Sequence, residues 1–378
     1  MSGTGVTGRA AVWALANRLG VVAGTPAELL SALLAGPPRT VRVDLAPDDD
    51  LVHALRALGH VDVIATGPPP PAPTAPVDLD DPAAVCAADP PGVTEAYASG
   101  ADAHGGLRAA WLRAGQALVR DDQTPAGRAL VLLTALDDTA DPRLAPALAE
   151  LSAGQPWRLA WSRRMPGTAL TTTTDGRLIA ADEPRATAVA CLPDGTRLEL
   201  DERGRLHTRG GPPTRLTQAV AATLARHPAT ALATAGPTVL TGDRMGTVHA
   251  FGLGGVDQAA LHAGRVTGLT ATASTAYPVT YSGGTDGAVR AWRPGRAPAR
   301  RPVAERPHPV VALHATGRLL AVAWADGLAE LHDLDTGEVE RFRPGPRIRA
   351  VAVTADGSLV LGLDDVLLCL AQAERSSG

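Results

Sequence analysis

The chain contains no lysine, so each of its 35 cationic side chains is an arginine. That absence excludes Schiff-base chemistry, a lysine general base and the lysine of a phosphate-binding loop. Aromatic residues make up only 3%, so the cores have to be built from Ala, Val and Leu, and nucleic-acid bases find few rings to stack on. With a formal net charge of −4, nothing overall attracts a phosphate backbone, and nucleic acid is not an expected partner. The three cysteines, Cys86, Cys191 and Cys369, are far apart and odd in number. They suit neither a disulfide framework nor a metal site, and buried thiols in a reducing cytoplasm are expected. No uncharged apolar run approaches membrane-spanning length, and residues 1–20 lack a basic segment followed by a long apolar core. A soluble, cytoplasmic protein without a membrane partner is expected.

What is present is ample Gly (40), Pro (32), Ala and Arg, a composition that resembles the proteome of a high-GC bacterium more than a disordered chain. A length of 378 residues leaves room for two or more domains, each with its own core.

One frame recurs from residue 188 onward: a short apolar strand, a tight turn, a second strand, a Gly-containing turn and a third strand. The first turn falls at Gly195, Gly236, about Tyr277, Gly317 and Gly357. The second falls at Gly204, Gly246, Gly287 and Gly327. Two independent sets of turns thus agree on one spacing, about 40 residues, which is the period of a propeller blade. Alternation of apolar and polar residues in Thr247-Val248-His249-Ala250-Phe251 has the two-residue strand period. One small sheet cannot bury both of its faces, so the units are expected to stack radially.

The third strand of each unit resembles the Gly-x-x-x-x-Trp-Asp pattern of the WD-repeat family. Gly287 leads to Trp292, with Arg293 in place of the Asp. Gly327 leads to His332-Asp333 and Gly246 to Phe251, while Arg209 and Leu370 hold the position in the other two copies. The Gly-His pair that opens such repeats is missing, with Pro307-His308 the nearest echo. The last unit stops after its third strand, and residues 157–162, just before the repeats, are expected to supply the missing strand. Residues 168–181 read as a truncated blade. Five or six blades are expected.

Residues 1–150 carry Ala/Leu stretches of helical period, with helices expected over 10–19, 27–34, 48–58, 107–119, 126–136 and 143–151 and strands over 39–44 and 61–65. Thr40-Val41-Arg42-Val43-Asp44, an acidic turn, a helix and Val61 to Thr66 resemble part of a STAND-type α/β NTPase, a class that often carries a WD-repeat propeller. Gly3 and Gly8 have phosphate-loop spacing, but Arg9-Ala10 stands where Lys-Ser/Thr belongs, and only two residues precede Gly3. A degenerate NTPase is therefore the expectation. The run Asp44, Asp48, Asp49, Asp50 reads as a helix cap, with a divalent-metal site as the alternative.

The expected fold is α+β multidomain: a degenerate α/β segment (1–67), a Pro-rich linker (68–81), a helical segment (82–154), an all-β propeller (155–372) and a disordered tail (373–378). No histidine pair has metal spacing, and no nucleophile elbow is present. His207 and His249 share one place on the third strand and read as structural or lumen-facing. No catalytic residue, cofactor or metal ligand is assigned. The expected function is a non-enzymatic protein-interaction scaffold that uses the propeller rim. Candidate rim residues are Arg203, Arg244, Arg265, Asp286, Arg306, Asp326 and Arg347, fitted to an acidic protein or peptide. The alternative is that these charges only solvate the rim. Two other functions remain open, a nucleotide-dependent signalling switch with weak ATP binding in the N-terminal half and a propeller enzyme with a central polar pocket. The sequence sets no oligomeric state.

Overall fold

The computed structural model describes residues 8–34, 39–67, 76–173, 175–181, 185–272 and 278–373. Gly3, the turn at Tyr277, residues 68–75 of the linker and 374–378 of the tail lie outside the described residues. The chain divides into two compact units, Met1–Leu159 with Arg343–Pro346, and Ala160–Phe342 with Arg347–Gly378.

The first unit is mainly helical. Helices Arg9–Leu19, Pro26–Leu34 and Asp50–Arg56 surround two parallel strands, Arg39–Val43 and Val61–Ala65. Alternation places Val41, Val43, Val61 and Val63 on the buried face, against Leu29, Leu51 and Leu55. Helices Leu107–Leu118, Pro125–Ala135 and Leu144–Leu151 follow the expected periodicity. Two further helices, Pro82–Ala87 and Pro90–Ser99, were not expected. Each starts with an Asp cap followed by Pro: Asp81 accepts from the Ala83 and Ala84 N–H groups, and Asp89 from that of Gly92. Helix Arg9–Leu19 packs on Leu107–Leu118 at Gly115, where a Cβ would stand 2.1 Å from the Trp13 ring. The linker end is tied down too, since the buried Tyr97 hydroxyl donates to Leu79 O at 2.8 Å.

The second unit is a five-bladed β-propeller. Blade 1 holds strands Ala186–Cys191, Arg197–Asp201 and Leu206–Arg209. Blade 2 holds Ala231–Ala235, Thr238–Gly242, Thr247–Gly252 and Gly255–Ala260. Blade 3 holds Val266–Thr272, Val279–Gly284, Ala288–Trp292 and Ala304–Glu305, and blade 4 Val310–Thr316, Leu319–Trp324, Ala329–Asp333 and Val339–Phe342. Blade 5 holds Ala350–Val353, Leu359–Gly362 and Val366–Gln372, and its fourth strand is Trp157–Arg164. The ring therefore closes with a strand from before the repeats, as expected. The first strands of successive blades lie side by side, and a two-stranded hairpin, Leu170–Thr172 with Leu178–Ala180, stands between those of blades 5 and 1. All eight described turn glycines of the two periodic sets have positive φ, between 56° and 89°. Tight hairpin turns demand that conformation.

Blade 1 departs from the pattern. In place of a fourth strand the chain forms helix Arg215–Leu224, capped by Thr214, and packs it on Leu206–Arg209. Its Val220 and Leu224 join Leu198 and Leu200 of blade 1 and Val239 and Phe251 of blade 2. The gaps between blades 2 and 3, between blades 3 and 4, and between blade 5 and the hairpin are filled mainly by Ala, Val and Leu, with Trp292, Tyr281 and Trp324 as the large side chains. The gaps are tight: a Cβ on Gly283 would lie 2.4 Å from a Val310 methyl.

Hydrogen bonds also cross between first strands. The Thr234 hydroxyl donates to Cys191 O (2.7 Å), and Ala315 N–H donates to Thr270 Oγ1 (2.9 Å). Val353 N–H donates to His314 Nδ1 at 3.1 Å. A backbone amide only donates, so Nδ1 is the acceptor and the ring proton sits on Nε2, 3.2 Å from Thr172 Oγ1.

Candidate functional site

The turn between second and third strands and the connection leading to the next blade emerge at the same end of the propeller. Backbone bonds join them: Ala229 N–H donates to Gly204 O, His262 N–H to Gly246 O, and Arg306 N–H to Gly287 O. All seven rim residues read from the sequence therefore lie at one end. They are of two kinds.

In blades 3 and 4 the residue before the turn glycine is an Asp that is consumed internally. Asp286 accepts from His262 Nδ1 at 3.0 Å and from Ala263 N–H at 3.1 Å. Burial would raise its carboxyl pKa, but the bonds from His262 and Ala263 hold it below the usual range. His262 is in turn 2.8 Å from Ser282 Oγ. Because its Nδ1–H serves the carboxylate and burial lowers its pKa, the neutral ring accepts the Ser282 proton on Nε2. The connectivity is that of a nucleophilic triad. Ser282 and the His262 side chain are fully buried, however, and neither lines the central cavity. This chain of bonds fastens a turn.

In blade 4 Arg306 takes the place of His262. Its guanidinium is 2.9 Å from Asp326 and 3.6 Å from Glu330, and it lies over the Trp324 ring. Trp324 Nε1–H donates to Glu330 at 3.0 Å, and Arg341 and His332 complete the ring of donors. Burial alone would raise the Glu330 carboxyl, yet the bonds from His332 and Arg341 and the charge of Arg306 carry it down to about 2. Asp286, Arg306 and Asp326 are thus spent within the rim.

Blades 1 and 2 fasten the turn differently. Asp201 accepts from the Arg203 and Arg205 N–H groups and pairs with His207 at 2.9 Å. Asp243 does the same with the Met245 and Thr247 N–H groups and His249, at 3.1 Å. The shared place of the two histidines is a structural one, on the turn and away from the lumen. Their Asp-x-x-Gly-x-x-His spacing was the available signal. Arg203, Arg244, Arg265 and Arg347 stand exposed, and no ion pair holds them among the described residues.

The first strands enclose a central cavity of about 400 Å³, lined largely by Ala, Gly and Thr, with His314, Cys191, Asp175 and Arg349 as its titratable side chains. His314 is buried with both nitrogens engaged, and burial pulls its pKa down to about 4. Burial likewise raises the thiols, Cys86 to about 12 and Cys369 to about 11, with Cys191 moved in the same direction. All three are free and buried.

In the N-terminal unit Asp44 accepts from Thr66 Oγ1 (2.8 Å) and pairs with Arg18 (2.9 Å), and both hold its carboxyl below the usual range, Thr66 the more strongly. Asp49 caps helix Asp50–Arg56 through the Leu51 N–H, the cap expected of the acidic run. Gly8 is the residue before helix Arg9–Leu19, and the Arg9 guanidinium lies over Trp13. No group of three or more His, Cys, Asp or Glu among the described residues is placed to hold a metal ion. No helix among them is long and apolar enough to cross a membrane.

No protein-family model matches the chain, and no curated protein matches it. Solved structures give partial likenesses. The computationally designed Ika8 protein is 19% identical with a TM-score of 0.38, over 55% of this chain and 70% of that one. The designed Ika4 protein is 23% identical with a TM-score of 0.33, over 38% of this chain and 90% of that one. A chain of the mitotic checkpoint complex is 15% identical with a TM-score of 0.36, over 57% and 92%. The propeller assignment rests on the sheets themselves.

Proposed function

We propose that the protein is a non-enzymatic interaction scaffold of the WD-repeat kind, and that it binds an acidic protein or peptide at the end of the propeller where turns and blade connections emerge. A propeller is a rigid frame commonly used to present loops to a protein partner. The observation that carries the reading is that Arg203, Arg244, Arg265 and Arg347 stand exposed there without an ion pair among the described residues, while Asp286, Arg306 and Asp326 are consumed by the frame. Unpaired guanidinium forks suit carboxylates, which they can engage with two parallel hydrogen bonds. Against catalysis, the one titratable ring deep in the cavity wall has both nitrogens engaged.

The test is fluorescence anisotropy of a labelled deca-glutamate peptide with the full chain at two salt concentrations. Binding that weakens with salt and falls about tenfold or more in a chain carrying both Arg203→Glu and Arg244→Glu supports the reading. No binding to the unaltered chain at low salt counts against it.

A further inference from the structure

Blade 2 breaks the rule that blades 3 and 4 obey, and the break leaves a surface. In blades 3 and 4, the residue four places before the first strand (His262, Arg306) reaches the Asp just before the turn glycine (Asp286, Asp326). The equivalent residues of blade 2 are His227, four before Ala231, and Met245, just before Gly246. A thioether is only a weak acceptor and cannot replace the Asp carboxylate, and neither side chain is drawn inward: His227 is exposed and Met245 is 79% exposed. The turn is instead secured from below by Asp243 and His249, so the frame does not need the outer positions.

The neighbourhood of Met245 is basic. Bonds run without a break from blade 1 to blade 3: Ala229 N–H to Gly204 O, Thr230 N–H to Gly242 O, Val266 N–H to Asp243 O, and the Thr230 hydroxyl to Val266 O. The two turns and two connections joined in this way carry Arg203, Arg205, Arg226, Arg244 and Arg265, all exposed, against one exposed carboxylate, Glu202. A cluster of like charges is the reverse of what self-solvation favours in a chain of net charge −4. An exposed, flexible, polarizable Met on one of these turns suits an apolar side chain of varying shape.

We infer that the sector of blades 1 and 2 around Met245 is the docking surface, and that its occupant is a peptide segment in which one apolar residue is flanked on both sides by carboxylates. The flanking acids meet Arg203 and Arg226 on one side and Arg244 and Arg265 on the other, while the apolar residue covers Met245. The inference rests on the scaffold reading above and narrows it, because Arg347 takes no part.

The test uses the full chain and two labelled peptides, Glu-Glu-Glu-Leu-Glu-Glu-Glu and the same sequence with Ser for Leu, with affinity read by anisotropy. The expected result is that the Leu peptide binds about tenfold more tightly, that Met245→Ser removes this preference, and that Arg226→Glu with Arg265→Glu weakens both peptides about tenfold or more. Arg296→Glu, on the turn at the opposite end of blade 3, leaves both unchanged. All of these side chains are exposed, and circular dichroism melting of each variant checks that folding is intact. Equal binding of both peptides, or loss through Arg347→Glu with none through Arg226 and Arg265, overturns the inference while the scaffold reading stands. Failure of both peptides to bind the unaltered chain overturns the inference and the scaffold reading together.

Discussion

His314 shows how far one side chain can be read once its partners are known. With Nδ1 accepting from Val353 and Nε2 donating to Thr172, the ring joins the hairpin, blade 4 and blade 5 in its neutral form only. Unfolded, it would take up a proton near the ordinary 6.5, but folded it does so only near 4. Between those values the unfolded chain holds the extra proton, so stability present above pH 6.5 is lost as the pH falls towards 4, by something on the order of 3 kcal/mol. Urea midpoints at pH 7 and pH 4.5 should differ accordingly, and the difference should shrink in His314→Gln. An unchanged acid slope in that variant would assign the effect elsewhere. None of this was legible in the sequence, because the partners lie 39 and 142 residues away. The same holds for Asp286 and Asp326, which look like free rim charges until the connections that cover them are seen. Arg203 and Arg244 keep the exposure that their place in a turn suggests.

At the scale of elements, the chain was readable wherever backbone geometry dictates residue type. Positive φ in a tight turn selects glycine, so the turn glycines marked the hairpins and their spacing marked the blades. Helix Arg215–Leu224 escaped notice because it occupies the stretch that a fourth strand and its loop would occupy, leaving the period undisturbed. Helix Pro82–Ala87, at six residues, is too short for periodicity to show, and Pro90–Ser99 has only Val93 and Tyr97 as large apolar residues to mark a period, although the two Asp-Pro pairs that start them are visible. The glycine at the end of the second strand answers to the next blade, not to its own turn. Gly283→Ala should cost about 1–3 kcal/mol by forcing Val310 away. Combined with Val310→Ala, the total should be clearly less than the sum of the single costs, a coupling that denaturant melts of the four-member cycle would detect. Strict additivity would mean that the two residues do not press on each other.

For the whole molecule, the shortage of aromatic residues is met by closure. Each sheet buries both faces against its neighbours, so Ala, Val and Leu fill most of the space between blades and only a few rings, Trp292, Tyr281 and Trp324, are needed there. The thiols offer a view of this. Cys86 sits in the first unit, and Cys191 and Cys369 belong to blades 1 and 5. Buried and held as thiols, all three should resist a thiol-specific dye in the native protein. Over a urea titration Cys191 and Cys369 should become reactive together, at one midpoint, since the propeller loses its closure all at once. Separate midpoints for those two would mean that the blades open one by one.

The strand that completes blade 5 has a further consequence during synthesis. Trp157–Arg164 leaves the ribosome well before its partner, Val366–Gln372, exists. The interval is 366 − 164 = 202 residues, which at translation rates of about 5–20 residues per second is roughly 10–40 s. Throughout that wait a nascent strand stands with both edges bare, beside other nascent chains on the same message. Arg158, Arg163 and Arg164 give it three like charges in eight residues, and like-charged edges repel one another. Like charge of that kind disfavours edge-to-edge pairing of two such strands for as long as the rest of the chain is missing.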